Sequence, residues 1–370
     1  MKGKNYALLF SLLRTALWGD VFQNKVSEED FTQVLKLAKE QTVLGLVFDV
    51  LKDMKIDGIQ NKAFLFEILG LTERIKHQNI LINQELISFA QRCKDVGLDY
   101  LVVKGQTLGC LYSNPALRYS GDIDFLLPDM SPSLSEVFPN VQFPKQMKEK
   151  ELEFEYNHII YELHTRLIDF GLKKHQRVWE GLMKEEWSLV KSDARGMKED
   201  GGCHVEINGV KVRTLSPTVN AVYLFLHLYF HLIREGVSLR QFCDWAIFLH
   251  HYCNIIDKDR LAEILGQLDM VKGYKTFGGI LVDELGLPNE DFPMSLGEED
   301  RQLKAEILED IFHGGNFGKQ NHKAKSALGF KLETLRMAVR NSIRYHSLAP
   351  SEMRMMIPKM VRINLKLLLG

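Results

Sequence analysis

Asp122 and Asp124 are two carboxylates two residues apart in the run Ser120-Gly121-Asp122-Ile123-Asp124-Phe125-Leu126-Leu127. Successive side chains on a strand alternate faces, so both acids point one way while Ile123 and Phe125 point the other. Like charges that close repel, and a divalent cation is the common remedy. The chemistry that uses such a cage is metal-assisted phosphoryl or nucleotidyl transfer, where Mg²⁺ is held by a few carboxylates and the substrate's own phosphates. A bare Asp-x-Asp also fits a solvated strand end. A third acid comes later, in Ile159-Ile160-Tyr161-Glu162-Leu163-His164, where Ile160, Glu162 and His164 share one face. Glu162 is the candidate third ligand, with Glu151, Glu153 and Glu155 as nearby rivals. For His164, a hydrogen bond to a ligand fits better than ligation, or it lies on the acceptor side of the site.

Phosphate needs positive charge and free N–H groups. Leu98 to Val103 reads as a short buried strand, ended by Lys104-Gly105, and Gln106 to Tyr112 reads as one or two helical turns. A strand meeting a helix N-terminus there presents backbone N–H groups to phosphate oxygens. Lys104 and Arg118 supply cations for the same purpose, or form salt bridges to Asp122 or Asp124. His227 and His231 stand four apart on a predicted helix, which is metal-ligand spacing, yet no HExxH pattern is present. They read as a core-edge pair or as acceptor-side groups together with Arg240 and Asp244.

The elements that must position these residues fall into three stretches. Residues 1–95 form an N-terminal helical region, with Ser27 as an N-cap and a long apolar pattern from Ala63 to Cys93 whose expected task is packing. Residues 96–215 carry the strands, ending in a hairpin with Asn208-Gly209 as its type I′ turn. Residues 216–370 are helical again from Ser216-Pro217 and end in a basic segment. From Lys323 to Gly370 ten Lys or Arg face only Glu333 and Glu352, a net of about +8. That segment either docks on acidic helices of the same chain or binds an anionic partner, membrane surface or RNA.

Hydrophobic content of 45% and charged content of 26% are those of a soluble globular protein. A net charge of -1 argues against bulk electrostatic binding of nucleic acid. The five cysteines lack CxxC spacing and read as reduced thiols rather than a zinc site or disulfide framework. Ala7 to Trp18 is apolar after Lys2 and Lys4, but Arg14 interrupts it and no small-residue cleavage site follows, so an amphipathic helix is expected. No run approaches the roughly 18 apolar residues of a membrane span. A cytoplasmic location is the expectation.

Lys104-Gly105, Leu111-Tyr112, Arg118 and Gly121-Asp122-Ile123-Asp124-Phe125-Leu126-Leu127 together resemble the core of a bacterial nucleotidyltransferase-like family within the polymerase-β-type superfamily. Glu162-Leu163-His164 resembles its third-acid strand. Leu226-His227, His231 and Asp244 resemble positions in its C-terminal helices, and Gly314 to Gly318 a further loop. The resemblance implies transfer of a nucleoside monophosphate from an NTP such as ATP to a hydroxyl, with Mg²⁺ or Mn²⁺ on the paired aspartates. It implies a nucleotide-binding role for Lys104, Gly105, Arg118 and Gly121. The superfamily usually opens with Gly-Gly or Gly-Ser, whereas this chain has Lys104-Gly105-Gln106 with one glycine.

The expectation is therefore an α+β protein, a small mixed sheet flanked by N-terminal and C-terminal helices. Asp122, Asp124 and Glu162 hold metal, and the acceptor is a hydroxyl on a small molecule, sugar or protein. Two alternatives are a catalytically silent nucleotide-binding or regulatory module and an RNA- or partner-binding protein acting through its basic tail.

Overall fold

The computed structural model describes residues 2–22, 26–52, 62–147, 150–193, 203–314, 327–355 and 358. Four helices come first: α1 (Lys2–Trp18), α2 (Glu28–Glu40), α3 (Leu44–Leu51) and the long α4 (Lys62–Asp95). Then follow β1 (Leu101–Val102), a single turn α5 (Gln106–Gly109), β2 (Asp122–Leu126), α6 (Leu134–Val137), β3 (Glu151–Tyr156) and β4 (Ile159–His164). Helix α7 (Lys173–Asp193) precedes the hairpin of β5 (His204–Ile207) and β6 (Val210–Arg213). The remainder is helical: α8 (Pro217–Arg234), α9 (Leu239–Tyr252), α10 (Lys258–Gln267), α11 (Val271–Asp283), α12 (Lys304–Gly314) and α13 (Ala327–Arg344). The fold is α+β. No helix among the described residues is long and apolar enough to cross a membrane.

The chain divides into two compact units. The second, residues 59–169 and 180–220, contains both sheets and α4, a helix that the sequence pattern groups with the N-terminal region. Its four-stranded sheet has the order β1-β2-β4-β3. β1 is antiparallel to β2, β2 parallel to β4, and β3 antiparallel to β4, so the sheet is mixed. One face is apolar. Ile123, Phe125, Leu127, Ile159, Tyr161 and Leu163 pack with Ile82, Leu86 and Phe89 of α4 and with Phe138. The Phe89 ring lies 5.0 Å from both Phe125 and Tyr100, edge-on. One polar group is tied into this side: Tyr161 donates to Glu85 Oε1 at 2.7 Å, and Arg92 donates to the same oxygen at 2.7 Å.

The strand read from Leu98 to Val103 is shorter in the structure, for a local reason. β1 pairs over two residues only, because Lys104 and Gly105 adopt φ of 58° and 51° and turn the chain away. The β3–β4 hairpin turns on Asn157-His158, with φ of 51° and 63°, a left-handed pair made without glycine. The Asn208-Gly209 turn has φ of 49° and 82°, as the sequence implies.

The first unit holds residues 1–58, 170–179 and 221–370. Ser27 caps α2 by accepting from the Asp30 N–H at 3.1 Å. Arg14, the charge that interrupts the apolar run of α1, donates to the carbonyls of Asp283 and Glu284 at 2.7 and 2.8 Å. It thereby satisfies the orphan carbonyls at the end of α11. Two arginines of the basic segment are paired: Arg344 meets Asp310 at 2.8 Å and Arg340 meets it at 3.6 Å. Gly315 to Gly318, Lys323, Lys325, Lys359, Arg362 and Lys366 lie outside the described residues.

Because Phe125 is fully buried between α4 and the sheet, Phe125→Ala should cost about 3–5 kcal/mol in urea-monitored unfolding. A loss below about 1 kcal/mol would contradict the packing described.

Candidate metal centre

Parallel pairing of β2 with β4 sets Asp124 directly opposite Glu162 and Leu126 opposite His164. The period of two then places Asp122, Asp124, Glu162 and His164 on the face opposite the aromatic core. One carboxylate oxygen each from Asp124 and Glu162 and one ring nitrogen of His164 lie within 4.8 Å of one another. Asp122 is half-buried on the same strand but outside this trio. The exposed Ile160, its partner in the register, sits at the same end of the pair.

Asp124 is only 4% exposed, and a bare carboxylate that deep would be costly. Two nitrogen groups meet one of its oxygens. Lys104 Nζ lies 2.9 Å from Oδ1 and His164 Nε2 donates to the same atom at 3.0 Å. Nε2 is also 3.3 Å from Glu162 Oε2, and the other ring nitrogen faces Glu151 at 3.7 Å. Burial would raise the Asp124 carboxyl, but the Lys104 charge and the hydrogen bonds from His164 and Glu162 hold it well below the usual range. For Glu162 the His164 hydrogen bond pulls downward, yet burial and the adjacent Asp124 charge push it up to about 7. Burial opposes charge on His164, and its two carboxylate partners reverse that and raise it.

The turn that delivers Lys104 is built by its neighbours. Val103 N–H donates to the Asp124 carbonyl at 3.0 Å, and the Lys104 carbonyl accepts from Thr107 N–H and Oγ1 at 3.1 and 2.7 Å. Gly105 has φ 51° and ψ -124°, a combination that only glycine takes without strain. Beside it runs a buried polar chain. Gln106 donates to Asn83 Oδ1 at 2.5 Å and accepts from Ser120 Oγ at 2.7 Å. Arg118, 2% exposed, donates to that Ser120 oxygen at 2.6 Å. Asn79 donates to the carbonyls of Ala116 and Arg118 at 2.8 and 2.7 Å. Helix α4 thus holds both loops that flank the acidic strand.

Sequence reasoning missed Asn79, Asn83, Gln106 and Ser120. The available signal was the pair of asparagines four apart on a helix otherwise read as packing, since amides inside an apolar face need partners. Among the other candidates, Gly121 directly precedes β2. His227 and His231 lie on α8 with ring centroids 4.3 Å apart, and His231 meets Glu235 at 3.3 Å. Arg240 and the buried Asp244 lie on α9. These four belong to the first unit.

The donor set suits a hard divalent ion. Two carboxylates on adjacent strands converge within coordination reach, with the Lys104 ammonium and a His164 ring nitrogen against Asp124. Asp124, Glu162 and His164 therefore form a candidate metal-binding triad. No curated protein and no solved structure matches the chain. A family model described as an uncharacterised nucleotidyltransferase matches residues 27–276, which spans α2 through the first half of α11 and includes every strand among the described residues. With the acidic pair, the mixed sheet and that match in hand, the chain belongs to this uncharacterised nucleotidyltransferase family.

Proposed function

We propose that the protein moves a nucleoside monophosphate from an NTP to a hydroxyl group on a small molecule, sugar or protein, using Mg²⁺ or Mn²⁺ held by Asp122, Asp124 and Glu162. The observation that carries this reading is the direct opposition of Asp124 and Glu162 across a parallel strand pair, in a chain of nucleotidyltransferase ancestry. In the reaction the acceptor oxygen bonds to the α-phosphorus, the bond from that phosphorus to its bridging oxygen breaks, and pyrophosphate leaves. The hydroxyl proton passes to an acidic side chain of the site. A bound cation would polarise the phosphate and offset charge on the leaving group.

The chain's own groups orient and neutralise. His164, buried and close to both carboxylates, positions them by hydrogen bonding and leaves oxygen atoms for the ion. Lys104, Gly105 and Gly121 serve the triphosphate, and Arg118 serves it through Ser120 and Gln106. His227, His231, Arg240 and Asp244 are our candidates for acceptor recognition.

Two outcomes follow. Asp124→Asn keeps the shape of the side chain and should lower label transfer from α-labelled NTPs at least about a hundredfold, while the circular dichroism spectrum is unchanged. Undiminished transfer by this variant would remove the site assignment. NTP binding without any turnover in the unsubstituted protein would favour the silent nucleotide-binding module.

Protons compete with the ion. Glu162, pushed up to about 7, holds a proton below neutrality, and a cation displaces it. Metal affinity should therefore rise as pH increases through about 7, up to roughly tenfold per pH unit for each proton released. Titration calorimetry showing equal affinity at about pH 5.5 and about pH 8 would contradict this.

A further inference from the structure

Oδ1 of Asp124 already carries two nitrogen partners, Lys104 Nζ at 2.9 Å and His164 Nε2 at 3.0 Å. A divalent cation that takes this oxygen must dislodge one of them. His164 is the poorer candidate to leave: its side chain is 4% exposed and sits on a strand paired on both sides. Lys104 has a four-carbon flexible stem, and its side chain keeps 16% exposure. Its backbone stays put, because Thr107 holds its carbonyl and Val103 ties the preceding residue to β2. The ammonium can therefore swing while its root is fixed one residue from the glycine turn.

We propose that Lys104 is an exchangeable counter-ion: it neutralises Asp124 until a divalent cation arrives, and then carries its charge to the donor's triphosphate. This rests on the metal-site reading above. Its consequence is thermodynamic coupling, since each ligand removes a cost from the binding of the other. Metal alone binds weakly because it must expel an ammonium, and triphosphate alone binds weakly because Lys104 is engaged. Together they bind cooperatively. An ion pair that only braced the fold would have no such consequence.

The test uses the full chain and two probes, Mn²⁺ alone, followed by electron paramagnetic resonance of the free ion, and preformed Mn²⁺–tripolyphosphate, followed by calorimetry. Lys104→Met keeps the stem and removes the charge. It should bind Mn²⁺ alone about tenfold or more tightly than the unsubstituted protein, and Mn²⁺–tripolyphosphate about tenfold or more weakly. Lys104→Arg, which keeps the charge, should retain weak binding of Mn²⁺ alone. Opposite signs for the two probes are the signature, because a structural role would weaken both. Weakening of both, or Mn²⁺ affinity unchanged in Lys104→Met, overturns the exchange while leaving the metal site standing. No Mn²⁺ uptake by the unsubstituted protein, or uptake undiminished in Asp124→Asn, overturns the metal-site reading and the exchange with it.

Discussion

A nearly buried carboxylate beside a second carboxylate is the interaction around which this site is arranged. In a low-dielectric setting such neighbours repel strongly, and each also forfeits water. The chain eases the conflict with its own side chains. Lys104 and His164 converge on a single oxygen of Asp124, while Glu162 relieves the remaining repulsion by a raised proton affinity. An arrangement that pays for itself in this way has little structural purpose, since well-packed apolar residues would serve a fold as well or better. The purpose proposed for it is the cation it can accept.

The rest of the sheet-bearing unit keeps that arrangement in register. Parallel pairing sets Asp124 opposite Glu162, and a slip of one residue would send one of the acids into the aromatic core. The core makes such a slip prohibitive: Phe125, Tyr161, Phe89 and Phe138 interlock on the reverse face. Helix α4 has two roles along its length. Its apolar residues cover the sheet, and Asn79 and Asn83 hold the loops carrying Gln106 and Arg118. Packing and site geometry are thus set by one element.

Much of this was legible in the residues. The alternation around Asp122 and Asp124, the later strand with Glu162, the Asn208-Gly209 turn and the Ser27 cap all follow from period and local chemistry. The α+β class follows from the order of those elements, and the mixed sheet was implied by the family resemblance. What stayed hidden depends on contacts across the chain. A salt bridge from Lys104 to Asp122 or Asp124 was one of the sequence alternatives, but the left-handed lysine that carries it to Asp124 is favoured by no propensity. The Asn157-His158 turn lacks the glycine that usually announces such a hairpin. That Arg118 is nearly buried and hydrogen-bonded to Ser120 could not be read from its type. Partner choice of this kind is set by tertiary packing, which a linear pattern does not encode.

The most direct test of the central claim is an anomalous difference map from crystals of the protein soaked in Mn²⁺. The account predicts a peak bonded at about 2.2 Å to carboxylate oxygens of both Asp124 and Glu162, with Lys104 Nζ moved away from Asp124. A fully soaked crystal with no manganese at these two strands, or with manganese bound only elsewhere, would contradict it.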